Sequence, residues 1–278
     1  MNCEEIIARL EEEYPLDYAM EWDNSGLQVG RRSRDVRKIF VALDADEETI
    51  SEAVEFEADL LLTHHPLLFH SIRQVNDDTF IGRRILAMIE HEITCYAMHT
   101  NFDVLGMAGM NRRQLGLEHC RVLDVTRENE GVEEGIGRVG ELREPMTLQE
   151  TARYVRNSLQ LQAVRCYGLP ADDPGSDGEE DGQDREEKEP LIRRVAVCGG
   201  SGKSVVQAAI REGAQVLVTG DIDYHTACDA LAQGLHVIDA GHYGTECGFI
   251  EFMVQKLGRL FPDCEVRGAR IRQPYAEV

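Results

Sequence analysis

The strongest constraint on the fold is a short apolar run that ends in two histidines and a proline. Leu60 to Leu62 follow an acidic, helix-like segment, which is typical of a buried parallel strand. Pro66 has no backbone N–H, so the ladder of the strand cannot continue past His64 and His65. Adjacent side chains of an extended segment point in opposite directions, so the two imidazoles are expected to serve different ions of a pair. Open α/β sheets bind ligands at the carboxyl ends of strands, and the sequence therefore predicts a functional site here.

An internal repeat links two distant parts of the chain. Val41–Leu43 corresponds to Val195–Val197, and Leu60–Thr63 corresponds to Val216–Thr219. Each copy has the order strand, turn, helix, strand and polar turn, as in a duplicated βαβ unit. The repeat predicts an α/β fold with two interlocked, related three-layer α/β/α lobes.

The predicted lobes are discontinuous in sequence. The first comprises residues 1–126 and 240–278, and the second comprises residues 127–239. Residues 171–190 of the second lobe consist largely of Asp, Glu, Gly and Pro, with almost no apolar side chain to bury. We expect a disordered surface loop there.

Histidines and carboxylates gather at the predicted strand ends of both lobes. Besides the two histidines above, they are His99, Asp103, Asp221, Asp223, His225, His242 and Glu246. Imidazole and carboxylate without thiolate suit Zn, Fe, Mn, Co or Ni rather than calcium or a structural zinc cage. Because both halves contribute such residues, the sequence predicts a metal site in the cleft between the lobes.

The charge and composition exclude several classes of partner. A formal net charge of -22 argues against nucleic acid and anionic membranes, which need Lys and Arg clusters. The amino terminus has no signal-peptide pattern, and no apolar run approaches the ~20 residues of a membrane span. The eight cysteines form no CxxC pair, which indicates reduced thiols. We therefore expect a cytoplasmic protein.

Three further features have a less direct interpretation. Trp22, the only tryptophan, is expected to anchor the core, while Asp23 and Asn24 fit either a turn or the support of a site. The role of Asp44 stays open. Residues 199–204 are similar to a phosphate-binding loop, but the Walker pattern requires Gly where the chain has Val197, so a tight strand-to-helix turn is predicted instead.

Five motifs, in order along nearly the whole chain, resemble the Nif-three-like proteins, a family of dinuclear-metal-centre proteins widely labelled "GTP cyclohydrolase I type 2 homologue". They are Asp23–Gly30, Thr63–Pro66, His99–Asp103, Gly199–Gly202 and Asp239–Glu246. The resemblance implies two divalent metal ions with the ligands His64, His65, Asp103, His242 and Glu246. A carboxylate has two oxygens to share, so Glu246 is the natural bridge. By the same resemblance, His99 and His225 would be catalytic groups nearby, as proton carriers or orienting residues.

The resemblance also implies an assembly and an activity. The expected assembly is a homohexameric toroid, and the expected activity is hydrolysis of a nucleotide or related small molecule by metal-activated water. Two alternatives stay open: a regulatory hexamer that binds metal or ligand without turnover, and a phosphodiesterase or phosphatase.

Overall fold

The computed structural model describes residues 1–169 and 190–273. The predicted acidic loop at 171–190 lies, apart from Pro190, outside the described residues. The chain forms two compact units, of which the first comprises Met1–Met107, Arg127–Glu134 and Glu246–Val278, and the second comprises Ala108–Thr126 and Gly135–Thr245. The lobe boundaries at 126 and 239 stay predictions.

The described residues form helices and strands that alternate over most of the chain. The α-helices are α1 (Cys3–Glu13), α2 (Glu47–Glu55), α3 (Phe80–Glu90), α4 (Thr100–Phe102), α5 (Ala108–Gln114), α6 (Leu148–Ser158), α7 (Val206–Arg211), α8 (Tyr224–Ala232), α9 (His242–Glu246) and α10 (Gly248–Leu260). The strands are β1 (Gly26–Val29), β2 (Lys38–Ala42), β3 (Leu60–Thr63), β4 (Thr94–Ala97), β5 (Glu118–Asn129), β6 (Val132–Met146), β7 (Arg165–Tyr167), β8 (Ile192–Ser201), β9 (Val216–Gly220), β10 (His236–Asp239) and β11 (Glu265–Gly268).

The sheet of the first unit has the strand order β1-β4-β3-β2-β11. The four strands β4, β3, β2 and β11 are parallel to one another, and β1 runs antiparallel to β4 at the edge of the sheet. All four residues of β3 and of β4 are buried, as expected for parallel strands covered on both faces. One face packs Phe40 and Leu61 against Ala53 of α2 and Met88 of α3. The carboxyl ends of the parallel strands therefore meet along one edge of a rigid sheet.

The sheet of the second unit has the order β5-β6-β8-β9-β10-β7, with β8, β9 and β10 parallel. Alternate residues of β9 enter two different cores. Leu217 packs with Ala208 of α7 and Ala227 of α8, whereas Val218 packs with Val155 of α6. This period of two shows that helices cover both faces of the sheet. The predicted α/β class, with two sheets flanked by helices, is confirmed.

Local sequence signals are clear at one helix cap and absent at one exposed strand. Thr147 and Glu150 form a capping box at the start of α6, and a Thr with a Glu three residues later is the sequence signal for one. Strand β5 was not predicted, because most of its residues are exposed and polar and show no apolar alternation. The prediction that Trp22 anchors the core was wrong, since 61% of the residue is exposed. Among the described residues, no helix combines the length and apolarity needed to cross a bilayer.

Candidate metal centre

The carboxyl end of β3 holds the two adjacent histidines by backbone hydrogen bonds. The N–H groups of His64 and His65 donate to the carbonyl oxygens of Ala42 and Leu43, at 3.2 and 2.9 Å. The hydroxyl of Thr63 donates to the carbonyl of His65 at 2.8 Å. The His64 ring is completely buried, and its Nδ1 contacts the carbonyl oxygen of Met98 at 2.8 Å. The ring positions are therefore set by the sheet rather than by a mobile loop.

Two carboxylates face Nε2 of His64 across a gap that fits a cation. Oδ1 of Asp103 lies 3.5 Å and Oε1 of Glu246 lies 3.7 Å from this nitrogen, which is buried and makes no hydrogen bond to any described residue. Two ligands at about 2.1 Å from a tetrahedral ion are about 3.4 Å apart. The three atoms are thus too far apart to bond well to one another and are spaced as ligands of one ion.

Asp103 occupies a distorted helical turn. It follows α4 and begins the π-helical turn Asp103–Met107, a geometry that is frequent at functional sites. Burial raises the pKa of Asp103, and the nearby carboxylate of Glu246 raises it further, while the His64 imidazole acts in the opposite direction. Two carboxylates close together, one buried and one partly buried, favour the uptake of positive charge. The electrostatics of this cluster therefore fit a divalent cation.

His65 lies between two carboxylates. Its Nδ1 contacts Oδ1 of Asp44 at 2.9 Å, and its Nε2 contacts Oε2 of Glu246 at 3.0 Å. Burial lowers the pKa of His65, but the two carboxylates outweigh it and raise that pKa to about 10. The surroundings of this ring thus favour positive charge, supplied by a proton or by a metal ion. The two oxygens of Glu246 face different histidines.

Four of the five histidines predicted at strand ends have Nδ1 in contact with an oxygen. The pairs are His64 with the Met98 carbonyl (2.8 Å), His65 with Asp44 (2.9 Å), His99 with Asp23 (2.8 Å) and His242 with Asp221 (2.9 Å). In the tautomer that donates from Nδ1, Nε2 carries the lone pair that a metal ion binds. Such carboxylate or carbonyl partners are the usual outer support of metal-binding histidines.

Asp23 fixes the orientation of His99. Its carboxylate accepts hydrogen bonds from His99 Nδ1 at 2.8 Å, from the Ser25 hydroxyl at 2.8 Å and from the Thr100 N–H at 3.0 Å. Burial raises the pKa of Asp23, but these donors outweigh it and hold the pKa well below its usual range. The His99 ring centre lies 5.4 and 5.6 Å from those of His64 and His65. Asp23 therefore both forms a turn, by accepting the N–H of Asn24 at 2.7 Å, and supports the site.

The second unit carries His242, Asp221 and His225. Asp221 follows β9, and His242 begins α9, four residues before Glu246 on the same short helix. Gly220 allows the two chain segments to approach, because a Cβ there would lie 2.4 Å from the backbone nitrogen of His242. His225 is exposed near the start of α8, with its ring centre 5.4 Å from that of Tyr224. Side chains four residues apart on a helix share a face, so His242 and Glu246 project together.

Comparison with known proteins establishes the family. The family model described as Duf34/NIF3 (NGG1p interacting factor 3) matches residues 1–274. The chain belongs to the Duf34/NIF3 family. The resemblance drawn from the five motifs is therefore confirmed.

Relatives in the Duf34/NIF3 family match over nearly their whole length. A protein of Streptococcus pneumoniae serotype 4 named "GTP cyclohydrolase 1 type 2 homolog" is 36% identical over 253 residues, which cover 90% of this chain and 88% of that protein. A Clostridium perfringens protein of the same name is 34% identical, covering 88% of this chain and 87% of its own. The crystal structure of a Bacillus cereus protein related to NIF3 superposes with a TM-score of 0.87 at 25% identity, covering 100% of this chain and 99% of that one.

The structure brings most of the predicted residues of this Duf34/NIF3 protein together within the first unit. There His64, His65 and His99 form one group with metal-ligand spacing, and His64, Asp103 and Glu246 form another. Sequence reasoning left Asp44 without a role and did not pair Asp221 with a histidine. A signal was available, because each acid precedes its histidine by 21 residues. In both units, that acid follows a strand and the histidine follows the next parallel strand. The Met98 carbonyl left no sequence signal, because it is a backbone atom.

Proposed function

We propose that this chain is a dinuclear metal-dependent hydrolase that acts on a nucleotide or a related small molecule. The observation that carries the proposal is the buried Nε2 of His64, which faces the carboxylates of Asp103 and Glu246 at 3.5 and 3.7 Å. We assign the first ion to these three residues. Imidazole and carboxylate ligands suit Zn, Fe, Mn, Co or Ni.

The second ion is assigned to His65, Glu246 and His242. Glu246 directs Oε1 toward His64 and Oε2 toward His65, which supports its role as the bridge between the ions. His242 is included because it precedes Glu246 by one helical turn of α9 and because Asp221 orients its ring in the same way as Asp44 orients that of His65. The ligand set leaves coordination positions open for substrate.

The bound ions would supply Lewis acidity and lower the pKa of coordinated water. The remaining chemistry belongs to side chains that accept and deliver protons. His99 is suited to this task because its ring is next to the ligand histidines and is held by an ionised Asp23. A carboxylate on Nδ1 stabilises the imidazolium that forms when Nε2 takes a proton. His225 is proposed as a second proton carrier, on the basis of the family resemblance.

The relatives guide the choice of substrate and assembly. Their name, "GTP cyclohydrolase 1 type 2 homolog", makes GTP the first substrate to test. Opening the guanine imidazole ring is a hydrolytic step, so water activation and proton delivery are the functions the site must provide. A homohexamer is the proposed assembly, again from the family resemblance.

Metal content and turnover should be measured on the same preparations. Wild-type protein is loaded with each of the five metals, its bound ions are counted by elemental analysis, and GTP, phosphodiesters and cyclic nucleotides are screened as substrates. We expect two ions per chain and turnover with at least one metal. Asp103→Asn should lose an ion and the activity. His91→Ala, which changes an exposed histidine at the end of α3, is the matched control.

Each contrary result has a clear meaning. If wild-type protein bound no more metal than Asp103→Asn, the metal site itself would be refuted. If two ions bound but no substrate turned over, while a nucleotide still bound, the regulatory alternative would replace the hydrolase. Turnover of phosphodiesters but not GTP would assign the phosphodiesterase alternative.

A further inference from the structure

Two large aromatic rings stand exposed beside the proposed site. Trp22 and Phe69 are 61% and 48% exposed, and adjacent exposed apolar side chains can mark a binding surface. Their ring centres are 5.9 Å apart. Both are also close to His99, at 5.9 and 6.4 Å between ring centres. Trp22 and Phe69 together are called the aromatic platform below.

The aromatic platform is anchored from behind. The Asn24 side-chain amide donates to the carbonyl of Leu68 at 2.6 Å, and the Leu68 N–H donates to Oε1 of Gln28 at 3.1 Å. Gln28 in turn donates to the carbonyl of Asn24 at 2.6 Å. These bonds hold the backbone next to Phe69 against the segment that carries Trp22. Because the backbone that carries the rings is already ordered, less freedom is lost on binding, which favours affinity.

The geometry of the aromatic platform selects how a ligand binds. The two rings are tilted by 57° and already touch, so a third ring cannot lie between them. A flat ring can instead stack on the exposed face, as nucleobases do on protein aromatics. His99 then links the stacked ring to His64 and His65, whose ring centres are 5.4 and 5.6 Å from its own.

We propose that Trp22 and Phe69 bind the planar heteroaromatic ring of the substrate and hold it beside His99, next to the metal ligands. This inference rests on the proposed function, because it names the part of the substrate that the same site recognises. A neutral ring is the best match, since the carboxylate of Asp23, next to Trp22 in the chain, already accepts hydrogen bonds from His99, Ser25 and Thr100.

The chain contains a built-in reporter of this binding. Trp22 is the only tryptophan, so fluorescence excited at the red edge of its absorption comes from the aromatic platform alone. Full-length, metal-loaded protein is titrated with guanosine, which has the ring without phosphate, and with ribose 5-phosphate, which has phosphate without the ring. We expect saturable quenching by guanosine and none by ribose 5-phosphate.

Two phenylalanine variants test whether the aromatic platform is responsible. Phe69→Ala should weaken guanosine binding at least roughly fivefold, as loss of one stacking partner does. Phe80→Ala, which removes a similarly exposed ring (53%) at the start of α3, should leave it unchanged. Trp22→Leu, measured by calorimetry, should lose binding as Phe69→Ala does.

Several results would overturn the inference. Equal quenching by ribose 5-phosphate, no quenching at all, or equal losses in Phe69→Ala and Phe80→Ala would each do so. Emission that changes with protein concentration and not with guanosine would show that a second copy covers the rings. Turnover without quenching would refute ring binding by the aromatic platform but not the hydrolase activity. Quenching without turnover would refute the hydrolase activity but not ring binding.

Discussion

Replacing Asp44 by Asn tests whether the acids that hold the histidines tune metal binding. Asp44 contacts His65 Nδ1 at 2.9 Å, and Asn keeps an oxygen for that hydrogen bond but loses the negative charge. Loss of such a partner costs about 10- to 100-fold in metal affinity. Because the Asp44 side chain is 54% exposed, solvent screens part of its charge, and we expect the lower end, about tenfold or 1.4 kcal/mol.

The second unit provides an independent copy of the same test. Asp221 holds His242 Nδ1 at 2.9 Å, and its side chain is 60% exposed, so Asp221→Asn should weaken binding to a similar extent. Asp44→Ala, which removes the hydrogen bond as well as the charge, should weaken it further than Asp44→Asn. Asp263→Asn changes an exposed acid elsewhere and serves as the matched control.

Competition with a fluorescent zinc chelator measures these affinities directly. If the chelator took the same fraction of zinc from wild type, Asp44→Asn and Asp221→Asn, the assigned role of the two acids would be refuted. A loss of zinc affinity in Asp263→Asn as large as that in Asp44→Asn would also refute it, because the loss would then come from the change in net charge alone.

Three other substitutions test the local structure. Gly220→Ala should destabilise the fold by about 1–3 kcal/mol, because the new Cβ would lie 2.4 Å from the backbone nitrogen of His242. Gly258→Ala is the control and should be neutral or slightly stabilising, because no described atom lies within 4 Å of its Cβ. Equal melting temperatures of the two variants would contradict this prediction. Thr147→Ala should cost about 1 kcal/mol by loss of the α6 cap in urea denaturation, and an unchanged midpoint would rule the cap out. The ionised form of Asp23 stabilises the fold above the unfolded pKa of about 3.9 and loses that effect as pH falls toward its depressed folded pKa. Asp23→Asn should therefore have a lower free energy of unfolding than wild type in urea at neutral pH, and the difference should become smaller in strong acid. A difference that does not change with pH would refute the argument.

The exposed tryptophan shows where sequence reasoning failed. A single large apolar residue in a turn-rich segment is more often buried, and nothing within residues 21–30 indicates otherwise. The side chains that contact it, Phe69 and His99, come from segments far along the chain. Side-chain burial of this kind is a tertiary property.

The sequence by itself determined the features whose physics acts between neighbours along the chain. The buried strand that ends at His64 and His65, the cap formed by Thr147 and Glu150, and the α/β class all follow from local patterns. The acids also sit at a regular spacing of 21 residues before their histidines, but that spacing has meaning only once parallel strands bring the two ends together.

Only the tertiary structure decided which side chains meet. Asp103 and Glu246 are 143 residues apart in the sequence, and only the fold brings both carboxylates to within 3.7 Å of Nε2 of His64. The gap between these atoms, the burial that raises the pKa of Asp103 and the exposure of the aromatic platform depend on distances through space. Local sequence patterns cannot predict these distances, because segments far apart in the chain set them when they pack together. The free energies of burial and of charge interaction depend on those distances.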